Sequence, residues 1–89
     1  MKAVISVVGK DRIGIVYEAT ELLVKYKLNI LDINQTLMEG FFTMIMLVDL
    51  SAMTVSFDEL VDGFDELGKK RGISIRVQHE DIFDAMHNI

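Results

Sequence analysis

The sequence predicts an α+β domain with the element order βαββαβ. Three observations carry that reading. Two short runs, residues 2–8 and 41–48, are apolar on both parities, as strands in the middle of a sheet are. Two longer stretches, beginning near Ile15 and Ser56, repeat their apolar residues at helical spacing. Two further runs, 28–39 and 73–77, alternate only in part, as edge strands do.

In the first strand Val4, Ile5, Val7 and Val8 serve both faces. The first helix sets Ile15, Ala19, Leu22, Leu23 and Tyr26 on one side and Glu18, Glu21 and Lys25 on the other. Its end falls at Lys25–Lys27, where cations suit the negative pole of the helix dipole. Strand two slips in phase between Ile30 and Ile33, which predicts a bulge. "MEG" at 38–40 reads as a hairpin turn into strand three. Ser56 and Glu59 form a capping box for helix two, with Val55 and Leu60 as its hydrophobic staple. Phe57, Leu60, Val61, Phe64 and Leu67 make that helix's stripe, and Gly72 closes it. Ile73, Ile75 and Val77 alternate with Ser74, Arg76 and Gln78 in strand four. The tail, "EDIFDAMHNI", reads as a short C-terminal helix with Ile82, Phe83 and Met86 turned to the body.

This order, with strands one and three central, is that of a ferredoxin-like βαββαβ sandwich: a four-stranded antiparallel sheet with both helices on one face. The other face then lacks helices, yet receives Val4, Val8 and part of the run from Phe41 to Met46. An uncovered apolar face or edge invites a partner, so a homodimer or higher homo-oligomer is expected, with the tail helping to cover the gap.

Composition narrows the function. At 89 residues, with 51% hydrophobic, one domain spanning 1–89 with a proper core is expected. No cysteine is present, which removes thiolate catalysis and cysteine-bound metal. The net charge of −5 argues against nucleic acid, and "KKR" at 69–71 reads as the solvated end of a helix. No signal peptide and no apolar window near the ~20 residues of a membrane span are evident, so a cytoplasmic protein without membrane partners is expected. No serine or threonine has a histidine and acid at a catalytic spacing, and no phosphate-binding glycine pattern occurs. A non-enzyme needing no cofactor is the reading. His79, Glu80, Asp81, Asp84 and His87 cluster in sequence, but a charged tail explains them better than a metal site, which needs convergent ligands and a second shell. The six methionines read as core filling.

The most informative stretch is "GKDRIGI", residues 9–15, between strand one and helix one. Its amides, at a helix N-terminus, suit a carboxylate or phosphate. Lys10 or Arg12 would add charge, and Asp11 would either cap the helix or accept a bond from an ammonium. A zwitterion such as an amino acid satisfies both signs. A tight turn with solvated charges explains the same residues.

The runs "VVGKDRIGIV" and "LNILDINQT" together resemble the ACT domain, a ligand-sensing module of many amino-acid-metabolism enzymes. The likeness extends over essentially the whole chain and is greatest to the stand-alone, single-ACT proteins labelled UPF0237. The glycine cleavage system repressor shares the "GKDR-x-GIV" signature in tandem copies. The resemblance implies regulatory binding, typically of an amino acid, between two modules, and service to a client enzyme or regulator. It casts Asp11 as a ligand-bonding loop residue, Gly14 as the point of close backbone approach, and Asn29 as the second polar contact. Ile13 departs from a common proline, and Gly9 from a histidine found in some members. The candidate ligand-binding residues are Gly9, Lys10, Asp11, Arg12, Ile13, Gly14, Ile15, Asn29, Ile30 and Asp32. Asn29 lies at the opposite end of the sheet from the loop, so a two-fold partner must complete the site, with strand two the favoured edge. Asp32 and Gln35 have a plainer reading as solvated or bonded to bulge backbone. A ligand-free interaction adaptor is the alternative function.

Overall fold

The computed structural model describes residues 1–80. The expected tail helix and the rest of the His/acid cluster beyond Glu80 lie outside them. The elements are β1 (Lys2–Gly9), α1 (Arg12–Lys25), β2 (Asn29–Met38), β3 (Phe41–Asp49), α2 (Phe57–Arg71) and β4 (Ser74–His79). All neighbouring strands are antiparallel, in the order β2-β3-β1-β4. The two strands apolar on both parities are therefore central, and the two mixed ones are edges.

The core lies between the sheet and the helices. Ala3, Ile5 and Val7 of β1 and Phe42, Met44, Met46 and Val48 of β3 are buried on that face. Ile15, Ala19 and Leu23 of α1, with Leu60, Phe64 and Leu67 of α2, close over them. Of the methionines among the described residues, Met44 and Met46 fill the core and Met53 packs against it, while Met1 is 72% and Met38 68% exposed. On the open face Phe41 and Ile45 are exposed, whereas Val4, expected there as uncovered, is buried.

Local signals set the element ends. Glu39 and Gly40 both take positive φ (50° and 82°), which joins β2 to β3 with the right twist for a hairpin. Ser56 caps α2, its hydroxyl accepting from the Glu59 amide at 3.2 Å, and Gly72 ends it in the left-handed region. The bulge in β2 falls between Ile30 and Asp32. Helix α1 begins three residues before the expected start. Asp11 causes this: its carbonyl accepts from the Ile15 amide at 3.0 Å, and its carboxylate from the Gly14 amide at 3.2 Å. Arg12, Ile13 and Gly14 thus form the first helical turn rather than a loop.

"KKR" is the last turn of α2, as expected, but it is not solvated throughout. Lys69 does face solvent, 3.6 Å from Asp65 one turn back. Arg71 instead reaches across to α1 and grips Glu18 with two parallel bonds, Nε to Oε2 at 2.8 Å and Nη2 to Oε1 at 2.7 Å. A fork of this kind fixes orientation as well as charge. Lys70 adds a looser contact to Glu18 at 3.8 Å.

Candidate functional site

The stretch from Gly9 to Ile15 sits at the end of the sheet where β1 meets the hairpin of β2 and β3. Gly9 is opposite Phe42, which in turn pairs with Leu37 of β2. A Cβ on Gly9 would stand 2.5 Å from Ile73 and 2.6 Å from Ile15, so this glycine packs rather than faces a ligand. Ile15 is likewise core. The Lys10 ammonium lies over the Phe41 ring at 5.3 Å, and the Arg12 guanidinium over Phe42 at 5.8 Å. Arg12 also donates to Gln35 Oε1 at 3.4 Å. Ile13 points outward, 84% exposed.

Asp11 is engaged inside its own chain. Besides capping α1 it stands 3.9 Å from Arg71 Nη1. Gly14 is needed for that arrangement, because a Cβ there would meet Asp11 Oδ2 at 2.5 Å. The same Arg71 bonds hold the Glu18 carboxyl below its usual pKa, and Glu18 raises that of Arg71 in return. The amides of Arg12 and Ile13 have no protein acceptor among the described residues and, with two cations beside them, favour an anion.

Asn29, Ile30 and Asp32 are not brought to this loop. Asn29 pairs with Asp49, which pairs with Lys2 at the far end of β1. At strand rise, the eight steps from Asn29 to Leu37 amount to about 25 Å. Asn29 borders a shallow hollow with Lys27, Asp49 and Ser51. Asp49 accepts from the Ser51 hydroxyl (2.6 Å) and amide (3.0 Å), which lowers its pKa. Asp32 accepts from the Ile33 amide at 2.9 Å, the bulge-bonded alternative.

Two residues outside the expected set touch the loop. Gln35 reaches it through Arg12, and Arg71 through Asp11. The "LNILDINQT" run contained the first signal. No sequence spacing could find the second, since it depends on how α2 ends beside α1.

Every residue of β2 is exposed. Ile30, Ile33 and Leu37 share a face with the buried Val48, Met46 and Phe42 of β3, yet are 43%, 42% and 68% exposed, because neither helix extends over this edge. On α1, Ile13, Tyr17 and Val24 form a second exposed stripe at helical spacing. Among the described residues no group of acids and histidines could hold a metal, and no helix is long and apolar enough to cross a membrane.

A βαββαβ sandwich with a capped, cation-flanked first turn and a bare edge strand places the chain in the class of small ferredoxin-like modules. The chain belongs to the ACT-domain family, whose model matches residues 2–78, and within it to the UPF0237 proteins. A UPF0237 protein of Clostridium acetobutylicum is 52% identical over the full length of both chains. Among solved structures, an ACT domain protein from Streptococcus pneumoniae is 38% identical, covering 93% of each chain with a TM-score of 0.80. A protein assigned as a glycine cleavage system transcriptional repressor is 27% identical, with a TM-score of 0.72 over 86% of this chain and 44% of its own. ACT domains are regulatory ligand-binding modules.

Proposed function

We propose that this protein is a regulatory sensor that binds an amino acid between two copies of itself. The observation that carries the reading is the bare β2 edge, with the two halves of the candidate site at its opposite ends. Antiparallel pairing of two β2 strands about an axis near Ile33, with Leu31 outside the ladder, sets Asn29 of one copy opposite Thr36 of the other. That brings Asn29 beside Gln35, Arg12 and the first turn of α1. The ligand carboxylate would take the Arg12 and Ile13 amides and the charge of Lys10 and Arg12. Its ammonium would take the Asn29 side-chain oxygen across the axis. The same pairing buries Ile30, Ile33 and Leu37 against the Ile13–Tyr17–Val24 stripe, so binding and association are linked reciprocally.

One observation favours the adaptor reading. Asp11, the expected ligand contact, is already used as a cap and an ion-pair partner within its own chain. A thermal-shift screen of the twenty amino acids, run beside light scattering, separates the two. The sensor predicts a dimer whose melting temperature rises with one amino acid; at a hundredfold excess over Kd the gain is about 2.7 kcal/mol. Arg12→Ala and Asn29→Ala should each abolish that rise. A dimer indifferent to every amino acid supports the adaptor, and a stable monomer removes the composite site.

A further inference from the structure

The two helices end in the same way on different residues. Each is followed by one residue in the left-handed region, and the next amide bonds back to the last turn. Ile73 donates to the Gly68 carbonyl at 3.0 Å, and Leu28 to the Leu23 carbonyl at 2.9 Å. After α2 the left-handed residue is Gly72 (φ 66°); after α1 it is Lys27 (φ 57°). A side chain is crowded in that region, and glycine is its ordinary occupant. A lysine held there against that cost marks a side chain with a use.

Lys27 lines the hollow between the end of α1, the start of β2 and the end of β3, a volume of about 290 Å³. Leu23 and Leu28, 3% and 8% exposed, give it an apolar floor. Asn29, Asp49 and Ser51 make the rest of its rim polar. Asp49 spends one oxygen on its own chain: Oδ1 accepts from the Ser51 amide and hydroxyl, and Oδ2 accepts nothing among the described residues. The Ser51 bonds hold the carboxylate charged at neutral pH. No ion pair among the described residues joins Asp49 to Lys27, or to Lys2 opposite it on β1. A cation and an acid thus share one rim without neutralising each other. The volume is close to the ~300 Å³ at which small-molecule clefts begin, which suits a small metabolite. We propose that this hollow is a second ligand site, complete within one chain, for a small aliphatic amino acid. Lys27 Nζ meets the ligand carboxylate, Asp49 Oδ2 its ammonium, and Leu23 and Leu28 its side chain. The site needs neither the first turn of α1 nor a partner copy, so it stands or falls apart from the composite one.

The test follows backbone amide shifts by NMR as L-leucine is added to the full-length protein and to Ile33→Lys, which keeps the chains apart. Saturable shifts at Lys27, Asn29 and Ser51 are expected in both. Asp49→Asn, which keeps an acceptor for Ser51, and Lys27→Gly should each weaken binding about tenfold or more, the worth of one hydrogen bond to a charged group. Lys27→Gly should also melt at a higher temperature than the parent, because glycine is at ease at that φ, so its lost binding cannot come from a damaged fold. 3-Methylbutylamine and 4-methylpentanoate, which carry one charge each, should bind more weakly by a similar factor. The absence of saturable shifts at the hollow overturns the proposal, as does undiminished binding by Asp49→Asn or by either one-charge analogue. Shifts confined to residues 10–14 and lost in Ile33→Lys belong to the composite site and overturn it as well.

Discussion

At Gly14 one hydrogen atom decides the shape of the first turn. A methyl group there would press on the Asp11 carboxylate at 2.5 Å and on Arg71 at 3.5 Å. Gly14→Ala should therefore cost the cap, about 1 kcal/mol, read as a lower urea midpoint at unchanged slope. Asp11→Asn keeps an acceptor for the Gly14 amide and loses only the charge toward Arg71, so its loss should be smaller. The identity of these residues was legible in the sequence, since an acid before a helix reads as a cap. Their employment was not. "GKDRIGI" looks like a loop offering charges outward, but Gly9 and Ile15 pack inward and Asp11 is turned to its own backbone.

Between elements, the clasp of Arg71 on Glu18 ties the end of α2 to the middle of α1. Glu18 retains only 17% of its side-chain exposure. Because the clasp lowers its folded pKa below the ordinary 4.5, the stabilisation is present above that unfolded value. It is lost as pH falls through the lower folded one. Glu18→Gln should accordingly be less stable than the parent at pH 7, and the two melting temperatures should converge on acidification. Ser56→Ala at the start of α2 should cost about 1 kcal/mol at any of these pH values. Both ends of α2 were readable, because Ser-x-x-Glu and a terminal glycine act locally. The start of α1 was missed by three residues, since the reading anchored on Ile15, the first buried position, and not on the cap before it. The clasp, formed across 53 residues of sequence, leaves no local trace.

For the whole molecule, strand placement followed from parity: chains apolar on both sides must be inside the sheet, and both were. What parity could not give was how far the helix layer extends. It stops short of β2, and that leaves Ile33 and Leu37 bare. Ile33→Lys should lower the light-scattering mass to that of one chain while leaving the circular dichroism of the fold unchanged, since the side chain it replaces is not core. The bulge between Ile30 and Asp32 has a separate consequence. Leu31 stands outside the ladder, so the sequence slips in phase there while Asp32 to Met38 meet β3 on the faces that a regular strand without it would give them. Delete Leu31, and the ladder closes without a kink: Ile33 and Leu37 should stay on the helix side, and a lysine scan of residues 32–38 should be tolerated at the same positions as in the parent, with only the local bend of the edge removed.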